Sequence, residues 1–348
     1  MKSTFSAVLL SCVVMLGMGA MIAANAEAEL IVIAAPPYDD AYYEDFADEI
    51  FDFHVAYARQ IAQHDDVLVL VDEGWYAEYV DALGEDKVAI APMLDIWMRD
   101  FTISNVTDPI MFRYTAAGQG SGAGGQSEAD EVQEAFAEAM VRAGVSFAQT
   151  DLLNDGGNFV DDYAGNVVVS TKFLADNALS EDEARAVLTA MPGIENVAFI
   201  EADEQGGLEH ADGVVSFVDE NTLLINEYPE DPDYARQLKA DLRRGLPGVT
   251  IHEVVTPYDG SEVYDERFGS ACGLYTNALV TPERIYFPQF GVAEDAIALE
   301  QVRSATSREV IPVMSARVCQ MGGGVRCMSW QLRGESARAL KAFFATSG

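Results

Sequence analysis

The chain reads as an α/β protein built from five similar modules in one domain, and three observations lead there. One hairpin pattern (apolar run, turn, apolar run) recurs at residues 158–170, 214–226 and 277–288. Five markers, Trp97, Gly157, Gly213, Asn277 and Cys327, follow one another at steps of 60, 56, 64 and 50 residues. Stretches with helical periodicity alternate with the hairpins. A unit repeated at a near-constant period argues for stacked or radially arranged strand–hairpin–helix modules. An ordinary open α/β sheet is the competing topology.

The elements follow in order. Residues 30–35 are a β-branched run ended by Pro36 and Pro37, which predicts a first strand. Residues 41–63 carry Phe46, Ile50, Phe53, Ala56, Tyr57 and Ile61 at helical spacing on an acidic background, which predicts an amphipathic helix. Residues 67–71 and 88–91 are apolar strands. Trp97-Met98-Arg99-Asp100 has strand propensity after a turn at Pro92; as a strand it sets Met98 and Asp100 on one face. Residues 118–126 are glycine-rich and predict a loop, without the Lys-Ser/Thr of a phosphate loop. Helices are predicted over 128–143, 180–191, 232–246 and 292–305. Ser180 is an N-cap for the second, and Lys239, Arg243 and Arg244 suit the C-terminal end of the third.

The N-terminus has Lys2, an apolar run over 5–24 and Ala24-Asn25-Ala26. This predicts a signal peptide over 1–26, a mature domain over 27–348, and a periplasmic or secreted protein. Loss of 1–26 removes one lysine and no acid, so the formal charge moves from −36 to −37. Such a surface repels nucleic acid and anionic lipid and gathers cations, so neither nucleic acid nor, after cleavage, a membrane is an expected partner. Solubility is the plainer reason for the charge, because the acids are spread along the whole chain. Cys272, Cys319 and Cys327 remain, an odd number for an exported chain. Either Cys272 pairs with Cys319 and Cys327 is free, or all three are reduced and two are small core residues.

Cys327 ends Gly322-Gly323-Gly324-Val325-Arg326-Cys327. The glycines allow a sharp turn and close approach to a ligand, and the charge of Arg326 would favour the thiolate if near. Of the four histidines, His210 stands out through Asp212, two residues on; in an extended segment both share a side. His54, His64 and His252 read as structural. No HExxH or CxxC accompanies His210, and the acidic stretch 39–52 reads as a solvated helix face, so no metal or cofactor is expected. A thiol, an imidazole and the carboxylates of Asp100 and Asp212 would suit a planar cation, provided they meet. Asn154-Asp155-Gly156-Gly157-Asn158 alone is a turn signature. Arg113 reads as a solvated strand arginine, with a substrate carboxylate as its alternative partner.

These pieces occur in order as W-M-R-D at 97–100, N-D-G-G-N at 154–158, H-A-D-G at 210–213, Y-T-N at 275–277, F-P-Q-F-G at 287–291 and G-G-G-V-R-C at 322–327. As a set they resemble the agmatine deiminase and bacterial peptidylarginine deiminase family of the guanidino-group-modifying (pentein) superfamily. The resemblance implies a single-domain five-bladed α/β-propeller with pseudo-fivefold repeats. It implies a hydrolase that turns a guanidino group into a ureido group plus ammonia through a cysteine thiouronium, in putrescine biosynthesis or in citrullination. It implies Cys327 as nucleophile, His210 as acid/base and Asp100 and Asp212 as the guanidinium grip. It also implies Trp97, Asn277, Asp155 and Asn158 as substrate-binding groups. The substrate would be a small cationic guanidine or an arginine-containing peptide. The chain departs from the family at Arg326, where histidine is common, at Phe101-Thr102-Ile103 in place of Gly-Pro, and at Asp155 in place of glutamate. These departures bear on agmatine as the substrate. The alternatives are a non-catalytic periplasmic binding protein for arginine or polyamines, and an amidinotransferase.

Overall fold

The computed structural model describes residues 29–347 apart from 106, 120–121 and 203–207. The signal peptide expected over 1–26 lies outside them. The described residues form an α/β structure with five separate sheets, none of which closes on itself.

The five sheets share one wiring. Val160–Asp161 runs antiparallel to Asn166–Ser170, which runs parallel to Asn196–Ile200. Val215–Asp219, Thr222–Asn226 and Thr250–Val254 repeat this order, as do Leu279–Val280, Arg284–Gln289 and Glu309–Met314. In a fourth sheet the antiparallel first strand is Trp330–Leu332, paired with Leu30–Ala34 at the other end of the chain. Leu30–Ala34 then runs parallel to Asp66–Val71, and Val88–Ile90 adds one more strand. In the fifth, the antiparallel contact is the single bridge Ser104–Ile110, and Ile110–Arg113 runs parallel to Ala148–Leu153.

Parallel neighbours need a crossover, and each parallel pair has a helix between its strands. The crossovers are Ala47–Ile61, Glu73–Leu83, Gly122–Arg142, Glu181–Thr189, Pro232–Gly245 and Glu294–Ala305. Their starts follow cap chemistry where the sequence supplies it. Ser180 and Glu183 form a reciprocal capping box, and Asp231 accepts from Tyr234 N ahead of Pro232. The strands facing the helices are almost wholly buried, as in sheets covered on their faces.

Several expectations need correction. Residues 98–101 form one helical turn, Met98–Phe101, not a strand, so Met98 and Asp100 do not share a strand face. Buried Gln133 holds this turn: its amide donates to Phe101 O and Phe112 O and accepts from Tyr114 N. The glycine-rich stretch expected as a loop (118–126, of which 120–121 lie outside the described residues) enters the long helix at Gly122. Docking of Ala129, Val132, Phe136 and Met140 into the core outweighs the helix cost of the glycines. Helices Glu73–Leu83 and Gly334–Ser347 escape the sequence reading.

Cys272 and Cys319 form a disulfide and Cys327 is free, which removes the all-reduced alternative. The bridge joins two segments that flank the site, around Ala271 and Met321. Its closed loop spans 47 residues, and chain entropy alone would make such a cross-link worth about 4 kcal/mol. The Cys272→Ser/Cys319→Ser protein is expected to lose between about 2 and 4 kcal/mol in denaturant unfolding. An unchanged midpoint would count against this role.

Candidate active site

Each repeated unit delivers its polar side chain from a short turn just ahead of its first strand. Asp100 precedes Ser104; the turn Gly156–Asn158 precedes Val160; Ala211–Gly213 precedes Val215; Asn277 precedes Leu279; Cys327 precedes Trp330. These turns are tied to one another. Arg99 N donates to Cys327 O (3.0 Å), Gly157 N to the Asp100 carboxylate (3.1 Å), and Arg326 N to Asn277 O (3.3 Å). These ties bring residues distant in sequence into one cavity.

That cavity has a volume of about 320 Å³ and is lined by Trp97, Asp100, His210, Asp212, Asn277 and Cys327 at its base. Tyr42, Glu128, Arg267 and Phe268 line it as well. The Cys327 sulfur accepts from Asn277 Nδ2 at 3.1 Å and lies 3.8 Å from an Asp212 oxygen. His210 stands between two carboxylates, Nε2 2.9 Å from Asp155 and Nδ1 3.7 Å from Asp100. Gly157 makes this contact possible: a Cβ there would lie 2.4 Å from His210 Nδ1 and 2.7 Å from Asp100 Oδ1. Gly323 passes the Trp97 ring equally closely, where a Cβ would sit 2.3 Å away.

Burial and charge set the protonation states. Burial pushes the Cys327 thiol well above its ordinary value, and Asp212 and Asp100 push the same way. Asn277 and Arg326 oppose this without overcoming it. Burial alone would lower His210, but Asp100 and Asp155 outweigh it and raise the imidazole to about 9. Burial raises Asp100 to about 7, against the pull of His210. Burial would raise Asp155 too, yet its hydrogen bond with His210 brings it below the usual carboxylate value. At neutral pH the resting site therefore holds both a thiol and an imidazolium.

Two of the expected substrate-binding residues do not face the cavity. Asp155 accepts from Thr115 N, Thr115 Oγ1 and His210, so its carboxylate is committed to holding the imidazole. Asn158 accepts from Ser170 N and Ala211 N and donates to Asn154, which fastens the His210–Asp212 turn from behind. Arg113 grips Asp130 with two bonds, away from the cavity. Arg326 favours the thiolate as its charge suggested, but its guanidinium is hydrogen-bonded to Asp212 at 2.6 Å and not to the sulfur. Thr115 was missed, because nothing local in its sequence points to Asp155.

A free buried thiol, an imidazolium and two carboxylates on one cavity wall define a cysteine-dependent centre for a flat cation. The profile of the Porphyromonas-type peptidyl-arginine deiminases matches residues 20–332, and the chain belongs to that family, hydrolases of guanidino C–N bonds. A Marinomonas sp. protein named "putative agmatine deiminase" is 24% identical over 340 residues, spanning 87% of this chain and 91% of the relative. The agmatine deiminase of Enterococcus faecalis shares the fold at a TM-score of 0.71 and 18% identity, over 88% of this chain and 93% of that one. The agmatine deiminase of C. jejuni does so at 0.72 and 17%, over 88% and 94%.

Replacing Gly157 by Ala forces His210 and Asp100 apart. A shift of about 1 Å in catalytic groups costs on the order of 10²-fold in rate. Gly157→Ala is expected to lose about that much kcat with little change in melting temperature; retained turnover in a folded variant would refute the packing argument.

Proposed function

We propose that this chain deiminates the guanidino group of a small arginine derivative, agmatine or an arginine within a peptide, outside the cytoplasm. The observation that carries the reading is the single cavity onto which Cys327, His210, Asp100 and Asp212 all open. Its wall also bears Asp40, Asp95 and Glu128, with Arg267 already clamped to Asp265. Such a lining favours a substrate without a free carboxylate and disfavours free arginine. The N-terminal export signal favours a peptide or a scavenged small guanidine. A cysteine-to-serine variant of the C. jejuni enzyme has been solved with its substrate bound.

We further propose that the five units are blades of a five-bladed propeller with the cavity on its axis. The shared wiring and the pairing of Leu30 with Leu332 support this.

The chemistry then follows from the protonation states. Asp100 and Asp212 accept hydrogen bonds from the guanidinium and hold it flat against the sulfur. The incoming cation offsets the two negative charges that hold the thiol protonated, so the thiol gives its proton to solvent. The thiolate adds to the central carbon, forming a C–S bond. His210 gives its proton to one nitrogen, which leaves as ammonia and completes an S-alkylthiouronium. Neutral His210 next takes a proton from water. The resulting hydroxide adds to the same carbon, the C–S bond breaks, the hydroxyl proton passes to solvent, and a ureido product departs with the thiolate regenerated.

Ammonia release from agmatine, arginine peptides and free arginine checks the reading. Turnover is expected with at least one of the first two, and loss of all turnover in Cys327→Ser; ureido product from that variant would exclude this nucleophile. The pH profile of kcat/KM gives a second check. Asp100 must be ionised, so activity falls as pH drops through about 7. His210 must be protonated while the thiol, held well above its ordinary value, must lose its proton, so the rise with pH flattens as pH passes about 9. A profile still climbing above pH 9 would remove His210 as the acid.

A further inference from the structure

We propose that Arg326 is a positioning residue: it fixes the Asp212 carboxylate so that one oxygen is spent on the protein and the other faces the substrate. The proposal rests on the deiminase reading. Arg326 is buried, and its Nη1 donates to Asp212 Oδ2 at 2.6 Å and to Gly156 O at 3.4 Å. Its Nη2 donates to Phe159 O at 2.8 Å. One planar guanidinium therefore ties together three units: the one bearing Cys327, the one bearing Asp212 and the one bearing the Gly156–Asn158 turn. A lysine cannot reproduce this, because an ammonium lacks the fixed fork that meets a carboxylate and two carbonyls at once.

The same Asp212 oxygen that Arg326 holds lies 3.8 Å from the Cys327 sulfur. A carboxylate so near a thiol resists its ionisation, and the guanidinium on that oxygen offsets the effect. Arg326 thus acts on the nucleophile through Asp212. It also leaves Asp212 with only Oδ1 for the guanidinium, while Asp100 is held by Gly157 N and faces His210. The two carboxylates are accordingly unequal, Asp212 fixed by a buried ion pair and Asp100 free to exchange charge with the imidazole.

The test uses Arg326→Gln and Arg326→Lys in the full chain, with two readouts. The first is the pH dependence of Cys327 alkylation by iodoacetamide, followed by mass spectrometry, which needs no turnover. Arg326→Gln is expected to shift the alkylation midpoint upward by about one pH unit. Arg326→Lys, which keeps the charge, is expected to stay near wild type. The second readout is kcat and KM on the best guanidine. Both variants are expected to raise KM and to lose about 10- to 100-fold in kcat/KM, because Asp212 is no longer aligned.

A role confined to folding would lower the melting temperature and leave both readouts of the folded fraction unchanged; that result overturns the proposal. Should Arg326→Gln fail to fold, Arg326→Lys decides alone: wild-type KM in that variant overturns it. If wild-type protein releases no ammonia from any guanidine, the deiminase reading fails. The alkylation shift then still tests the link from Arg326 to the thiol.

Discussion

A buried thiol beside buried carboxylates is an arrangement that water exclusion penalises, and everything around the cavity answers that penalty. Asp100, Asp155 and Asp212 are each at most 6% exposed. Left alone they would take up protons or drive the segments apart. Two cations oppose this. His210 lies between Asp100 and Asp155, and Arg326 lies against Asp212. Removing one partner of such a buried pair costs about 3–5 kcal/mol, so the site's charges also hold its walls together.

The geometry of the cluster is a consequence of repetition. One local structure, a turn feeding a short strand, occurs in five sheets; four of the turns line the cavity, and the fifth, Gly156–Asn158, packs behind His210 and Asp100. Glycine appears where the turns crowd: Gly157 under His210 and Gly323 against Trp97. The chain ends are joined through Leu30 and Leu332, so the segment carrying Cys327 belongs to the same sheet as the first strand. The Cys272–Cys319 bridge adds a covalent tie near the same turn.

Local patterning made the modules readable. The apolar runs of 166–170, 222–226 and 284–289 are the central strands of three sheets, and Ser180 caps the helix it was expected to cap. Patterning failed where distant contacts outweigh local preference. Trp97 to Asp100 has strand propensity, but Gln133, from another segment, holds it as a helical turn. Glycines at 122, 124 and 125 read as a loop, but the apolar stripe that follows draws them into a helix.

The amino-acid sequence by itself determined the α/β character and the repeat, because these depend on spacing and residue type alone, and it supplied the candidate side chains through a family resemblance. The tertiary structure decided what each of those side chains does. Asp155 and Asn158 turned from the cavity to brace His210 and its turn, since their hydrogen-bonding atoms are filled from behind. Arg326, next to the cysteine in the chain, was claimed by a carboxylate 114 residues away. The preference of a buried charge for its nearest counter-charge is a property of distance in space, and distance along the chain carries no record of it.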